Sequence, residues 1–395
     1  METGTPGITR AAAAIAIAVM FVVPAPQSGS SAVNIAYGRS WPRSIVIDQA
    51  RQLAYVDGES GIYPPDGFSF GVISMANQSL GTVLGLPGIA GELALDASSG
   101  TVYAAGQDSV TVIDAKNMSI ERTIPLKIPI FSIAFDGSTG HLLITSGNRV
   151  FQMDTVSGRL LRNATVGESA EGMAVDPAAG TVFVANYLSS SVSVLRTADL
   201  SSVKTVELPP GSYPAQLSLD TGRAILYVTT DGESVAEVSS SSYAVVGSIR
   251  VSQSSANGTY ALAVDPSRGR LFVATEPGTT VSELNAATGA LIATFALDSA
   301  AFEMAVGQAT GKLYVTNYHQ VTVITPVEAE AVAPQSPQYG LWAVVGGAST
   351  AAVVALYLWR FTAIGGRRGG PSRQRRTGRS WLQSSHRQPQ AGPSR

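Results

Sequence analysis

Apolar and polar positions alternate in short bursts along most of this chain. In "MAVDPAAGTVFVAN" (Met173 to Asn186), Met173 and Val175 point one way and Ala174 the other. Asp176, Pro177 and Gly180 then break the run, and a second alternating stretch follows. A period of two, interrupted by turn residues, predicts two short antiparallel strands.

The same unit recurs. "LAVDPSRGRLFVAT" (Leu262 to Thr275), "MAVGQATGKLYVTN" (Met304 to Asn317), "LALDASSGTVYAAG" (Leu93 to Gly106) and "IAFDGSTGHLLITS" (Ile133 to Ser146) follow one rule. "LSLDTGRAILYVTT" (Leu217 to Thr230) and "IVIDQARQLAYVDG" (Ile45 to Gly58) are weaker copies. The acidic position falls at Asp48, Asp96, Asp136, Asp176, Asp220 and Asp265, with Gly307 as the seventh. Seven all-strand units at a period of 40 to 48 residues predict a seven-bladed β-propeller with four strands per blade.

Each copy explains its own parts. The position after the first apolar residue is small (Ala94, Ala134, Ala174, Ser218, Ala263, Ala305), as an innermost strand crowded at a ring axis requires. The Asp bonds its own turn, and Gly100, Gly140, Gly180, Gly269 and Gly311 supply positive φ before strand two. Runs such as "SVTVID", "SVSVLR" and "QVTVIT" supply third strands; "LLRNATV" and "LIATFAL" supply fourth ones. Blade seven lacks a fourth strand after Thr325, and "AVNIAYG" (Ala32 to Gly38) is expected to complete it by joining chain start to chain end.

On the motifs "AVDPAAGTVFVAN", "AVDPSRGRLFVAT" and "AVGQATGKLYVTN", residues 41 to 325 resemble the YVTN-type β-propeller repeat of bacterial and archaeal secreted and surface-layer-like proteins. The resemblance implies the fold and leaves the function open, because such repeats serve many roles.

Composition agrees with this reading. The chain has 395 residues, 40 of them Gly, with 14% charged residues and no Cys. Disulfides, thiolate metal sites and cysteine nucleophiles are therefore excluded. The net charge of −2 conceals a division: nine Arg and no acidic residue lie from Arg360 onward, leaving 17 basic against 28 acidic residues elsewhere, about −11 by formal count.

The two ends carry targeting signals. Arg10 precedes an apolar run from Ala11 to Val23, the length of a signal-peptide core, with cleavage expected near Ala25 or Ala32. Tyr339 to Trp359 carries no charge and is long enough to cross a bilayer, and Arg-rich sequence follows it. The positive-inside rule then places the C-terminus in the cytoplasm and the propeller outside. The expected domains are a signal peptide (1–32), propeller (33–327), linker (328–338), transmembrane helix (339–361) and basic cytoplasmic tail (362–395). The tail is expected to meet anionic lipid headgroups, with no nucleic acid as partner.

Sequons at Asn77, Asn117, Asn163 and Asn257 are candidate glycosylation sites. Residues four before the recurring acidic position are expected around the mouth of the ring: Ser44, Glu92, Ser132, Gly172, Gln216, Ala261 and Glu303. Polar residues just after strand two join them: Asp57, Asn186, Asp231, Glu276, Asn317 and His319, with Tyr318 beside the last. His141 is expected in a solvated turn at the opposite end. Glu92, Glu303, Asn186 and Asn317 could hold calcium through their oxygens, and His319, Glu92 and Glu303 are the candidates for acid–base work. No nucleotide-binding glycine loop, zinc spacing or nucleophile elbow is present. The expected function is a membrane-anchored extracellular binding or surface-structural module for a protein or glycan, without cofactor. The alternative is a calcium-dependent hydrolase, lactonase or lyase-like enzyme with its site at the channel mouth.

Overall fold

The alternation becomes seven separate four-stranded antiparallel sheets. A computed structural model describes residues 31–37, 40–60, 68–87, 91–251, 258–275 and 278–326. Residues 1–30, the linker, the transmembrane segment, the tail, Asn257 and Glu276 lie outside the described residues, and among those described no helix is long and apolar enough to cross a membrane. Blade four is typical: Ala170–Asp176, Thr181–Asn186, Ser191–Arg196 and Ser202–Glu207 pair in sequence order. The innermost strand of each blade packs on that of the next, and blade seven returns to blade one, so the ring is closed.

Closure is the step the sequence anticipated. Ser31–Ala36 pairs antiparallel with Gln320–Thr325, giving blade seven its outer strand. The strand starts at Ser31, so a signal boundary at 32 would remove two of its six paired residues, Ser31 and Ala32; cleavage near Ala25 leaves it whole. Tyr37 follows the strand and crosses to blade one. Its hydroxyl donates to the Val56 carbonyl at 2.8 Å and its ring is buried. A Cβ at Gly71 would stand 2.6 Å from that hydroxyl, and one at Gly58 would stand 2.8 Å from the ring. Glycine is needed at both positions because Tyr37 occupies the space a side chain would take.

The core is divided into seven clusters, one at each junction between blades. The aromatic residue of strand two enters the cluster shared with the following blade: Tyr55, Tyr103, Phe183, Tyr227, Phe272 and Tyr314, with Leu143 in its place in blade three. All seven are buried. No blade has a core of its own, so each sheet is stable only against its neighbours.

The recurring Asp caps its own turn. Asp176 Oδ1 accepts from the backbone N–H groups of Ala178 and Ala179, and Asp96 does the same for Ser98 and Ser99. Where an Arg stands three residues later it pairs with the Asp and reaches the next blade: Arg51 bonds Asp48 and the Ala97 carbonyl, and Arg268 bonds Asp265 and the Gln308 carbonyl. Blade seven has Gly307 instead, because a side chain there would strike Met75 of blade one. The missing cap is replaced from that neighbour: Gln49 Oε1 accepts from the Gln308 N–H, and its Nε2 donates to the Val306 carbonyl, both at 2.9 Å.

The predicted turn glycines have φ between 63° and 80°. The two weaker copies place Gln52 (φ 55°) and Ala224 (φ 54°) at the same point. An L-residue there costs on the order of 1 kcal/mol. Ala224→Gly is therefore expected to raise the melting temperature by about 1–3 °C, and a lowered value in thermal denaturation would show that the turn is unstrained. His141 is a correction: it opens strand two of blade three opposite Asp136, is half-buried, and its Nδ1 is enclosed. The turn ends one residue earlier than the pattern suggested, at Gly140, so strand pairing draws the ring in.

Candidate functional site

The mouth of the ring is where strand one begins, strands two and three turn, and the connection from the previous blade arrives. In blades one, four, six and seven strand one enters through a bulge, at Pro42/Ile45, Ala170/Met173, Thr259/Ala261 and Ala301/Glu303. A bulge inserts an unpaired residue and re-aims its side chain. The residues released this way are Arg43 and Ser44, Glu171 and Gly172, Tyr260 and Phe302. Gly172 is backbone-tight: its N–H donates to the Ala215 carbonyl and a Cβ would collide with that oxygen.

Glu92 and Glu303 meet matching surroundings. Glu303 Oε2 accepts from the Ile45 N–H at 2.9 Å with the Ser44 hydroxyl nearby, and Glu92 Oε2 accepts from the Ile133 N–H at 3.2 Å with the Ser132 hydroxyl nearby. Each glutamate thus holds the backbone of a Ser-Ile pair at the start of the next blade. Ser44 Oγ accepts from the Leu93 N–H, and its own N–H donates to Asp57 Oδ1 at 2.8 Å. Asp57 is fully buried, with Oδ2 unpartnered.

These three carboxyls hold their protons unusually well. Burial raises Glu92 to about 8, and the charges of Glu303 and Asp57 add to the effect. Burial raises Glu303 to about 7 against the bonds from Ser44 and Ile45. Burial raises Asp57 to about 7; Glu303 adds to this, while the Ser44 N–H and Arg43 oppose it. Glu92 and Glu303 keep one side toward a cavity of about 270 Å³ along the axis, lined also by Ser132, Gly172, Gln216 and apolar strand-one residues.

The amide candidates turn elsewhere. Asn186 is fully buried within blade four, where Nδ2 donates to Ser191 and Ser193 and Oδ1 accepts from the Gly167 N–H. Asn317 is likewise buried, with Nδ2 donating to Thr322. Neither faces the mouth, because the last residue of strand two points its side chain across to strand three. His319 does lie at the mouth, exposed in a turn with φ 68°, but its ring sits beside Trp41, with centroids 6.1 Å apart. Among the described residues it bonds no carboxylate, and no three His, Asp or Glu side chains stand where they could hold a metal ion. Asn77, Asn117 and Asn163 are exposed, the first two in outer turns and the third on an outer strand.

Of the aromatics on this face, the sequence pattern singled out Tyr318 alone. Trp41, Tyr260 and Phe302 lie at the start of strand one and Phe131 and Tyr213 just before it, five or seven residues before the recurring position. That spacing was the available signal. Tyr318 packs edge-on against both Trp41 and Phe302, at 5.6 and 4.9 Å between centroids, and Arg43 lies over Phe302. Phe131, Leu188, Tyr213, Tyr260 and Tyr318 rank among the exposed large hydrophobics of the propeller.

Set against known proteins, the chain matches no family model, and no curated protein sequence is similar enough to be a relative. The resemblance to YVTN repeats rests on the quoted motifs alone.

Proposed function

We propose that this chain is a non-catalytic binding propeller of the YVTN-repeat type, held outside the cell by its C-terminal span, with the mouth face as its ligand surface. The observation that carries this reading is the unequal use of the two faces. On the Asp-turn face, side chains cap turns and tie blades together. On the mouth face the rings of Phe131, Tyr213, Tyr260 and Tyr318 stay exposed beside Leu188, whereas the exposed large hydrophobics elsewhere, such as Val156 and Val246, are aliphatic; exposed aromatics grouped on one surface are typical of binding sites. A glycan or protein outside the cell is the partner class that fits this placement, and anionic lipid is the partner of the tail.

The test uses full-length protein on whole cells, with bound envelope material recovered after cross-linking and quantified. Combined Tyr213→Ser, Tyr260→Ser and Tyr318→Ser substitution is expected to remove most of the captured material, while Glu92→Gln with Glu303→Gln retains it. The reverse pattern would overturn the binding reading. It would support the alternative of a calcium-dependent hydrolase, lactonase or lyase-like propeller, in which the raised carboxyl groups at the mouth would supply the acid–base chemistry. In that case calcium should raise the melting temperature of the unsubstituted chain and leave the glutamine variant unmoved. External protease is expected to remove the propeller and spare the tail; a protected propeller contradicts the topology.

A further inference from the structure

We propose that the cleft at the mouth of blades four to seven is a subsite for a neutral oligosaccharide chain, an inference that rests on the mouth face being the ligand surface. The cleft has a volume of about 300 Å³. Four rings line it: Tyr187 and Tyr213, tilted 38° with centroids 5.2 Å apart, and Tyr260 and Phe302. Tyr213 is 37% and Tyr260 43% exposed, so the rings offer uncovered flat surface. Between them stand Glu171, Gln216, Thr230 and Asp231.

Sugar rings have apolar C–H faces and polar hydroxyl edges, and this lining provides for both. Aromatic planes take the C–H faces, as rigid amphipathic rings do at other recognition surfaces. Carboxylate, amide and hydroxyl groups bridge neighbouring sugar hydroxyls. Occupants of other chemistry fit less well. Among the described residues no Lys or Arg lines the cleft, which disfavours phosphorylated, sulfated or otherwise anionic chains. A peptide added as a strand needs an open sheet edge, and the innermost strands here pack side by side around a closed ring. The raised affinity of Glu92 for its proton leaves it neutral in mildly acidic to neutral water, so the cleft attracts cations less than its three acidic residues suggest.

The chain is tested at full length in a detergent without a sugar headgroup. Pentasaccharides of β-1,4-glucan, β-1,3-glucan, α-mannan and chitin type are titrated by calorimetry, with oligolysine and a sulfated glycan as comparisons. At least one neutral pentasaccharide is expected to bind with a Kd in the range of about 10 μM to 1 mM. Tyr213→Ala and Tyr260→Ala should each weaken it about tenfold or more. Val246→Ala, exposed on an outer strand, should leave affinity unchanged. Unaltered melting of the tyrosine variants shows that they are folded. Binding of oligolysine or sulfated glycan at the same tyrosines, without any neutral saccharide, overturns the saccharide inference while keeping the mouth as the ligand face. Saccharide binding untouched by both tyrosine substitutions overturns this subsite. Loss of envelope capture in the tyrosine triple variant, with no saccharide binding, separates failure of the subsite from failure of the broader reading.

Discussion

Thermal denaturation between pH 5 and pH 8.5 is expected to give a melting temperature that falls as the pH rises, and Glu92→Gln with Glu303→Gln should flatten that slope and raise the value at pH 8. In the unfolded chain these carboxyls lose their protons at ordinary values near 4. In the folded ring Glu92 keeps its proton to about 8, and Glu303 and Asp57 to about 7. Between those limits the folded state binds more protons than the unfolded state, so raising the pH through that window destabilises it. The turn aspartates act in the opposite direction and elsewhere. Asp96, Asp136 and Asp154 are lowered by local hydrogen bonds, so their contribution is lost only in acid, below the window. Glutamine imitates the protonated acid: its carbonyl oxygen can still accept from Ile45 or Ile133 and from the neighbouring serine. Each unit of pKa shift corresponds to about 1.4 kcal/mol. Because both glutamates face water in the channel, roughly 2 kcal/mol in total is the expected gain at pH 8, about 4–8 °C. A melting temperature that rises from pH 5 to 8.5, or a double variant as pH-sensitive as the parent, would contradict the buried-acid arrangement.

Deleting residues 31–37 is expected to abolish the cooperative melting of the propeller and leave an associating species. The deletion removes the outer strand of blade seven and exposes the edge of Gln320–Thr325, an unpaired template for other chains. It also removes Ile35 and Tyr37, which are 6% and 4% exposed and belong to the cluster joining blades seven and one. Tyr37→Ala alone should cost about 3–5 kcal/mol, the range for a large buried aromatic. Tyr37→Phe should cost only about 1 kcal/mol, for the bond to Val56. Gly71→Ala should resemble Tyr37→Ala, since its new methyl group displaces the same ring. A peptide of residues 31–37 supplied to the deleted chain is expected to restore the melting transition by donating the missing strand. A deletion variant that associates no more than the parent and melts at the parental temperature would show that closure depends on something other than this strand.

Glu92 and Glu303 show how far the site could be read from the chain. Their register, four residues before the recurring position, placed them at the mouth, because strand direction and a period of two follow from local sequence. Asn186 and Asn317, one strand further on, have the same register but are buried within their own blades. Whether a strand-end side chain faces the axis or the adjacent strand depends on pairing partners, and Ser191, Ser193 and Thr322 were the deciding ones. Tyr260 and Phe302 escaped notice because a bulge, which depends on pairing register, turns them out to the mouth.

Alternation, the recurring Asp and the turn glycines determined the strands and the blade count, since each is a property of residues a few positions apart, and the strand missing from blade seven pointed to the closing segment. Tertiary structure alone decided three things. Gln49 caps the turn of a different blade, Tyr37 fills the space above two distant glycines, and three carboxyls from blades one, two and seven share one desolvated mouth. Each joins residues far apart in sequence, where the cost of burial and the partner that relieves it exist only once the ring has closed.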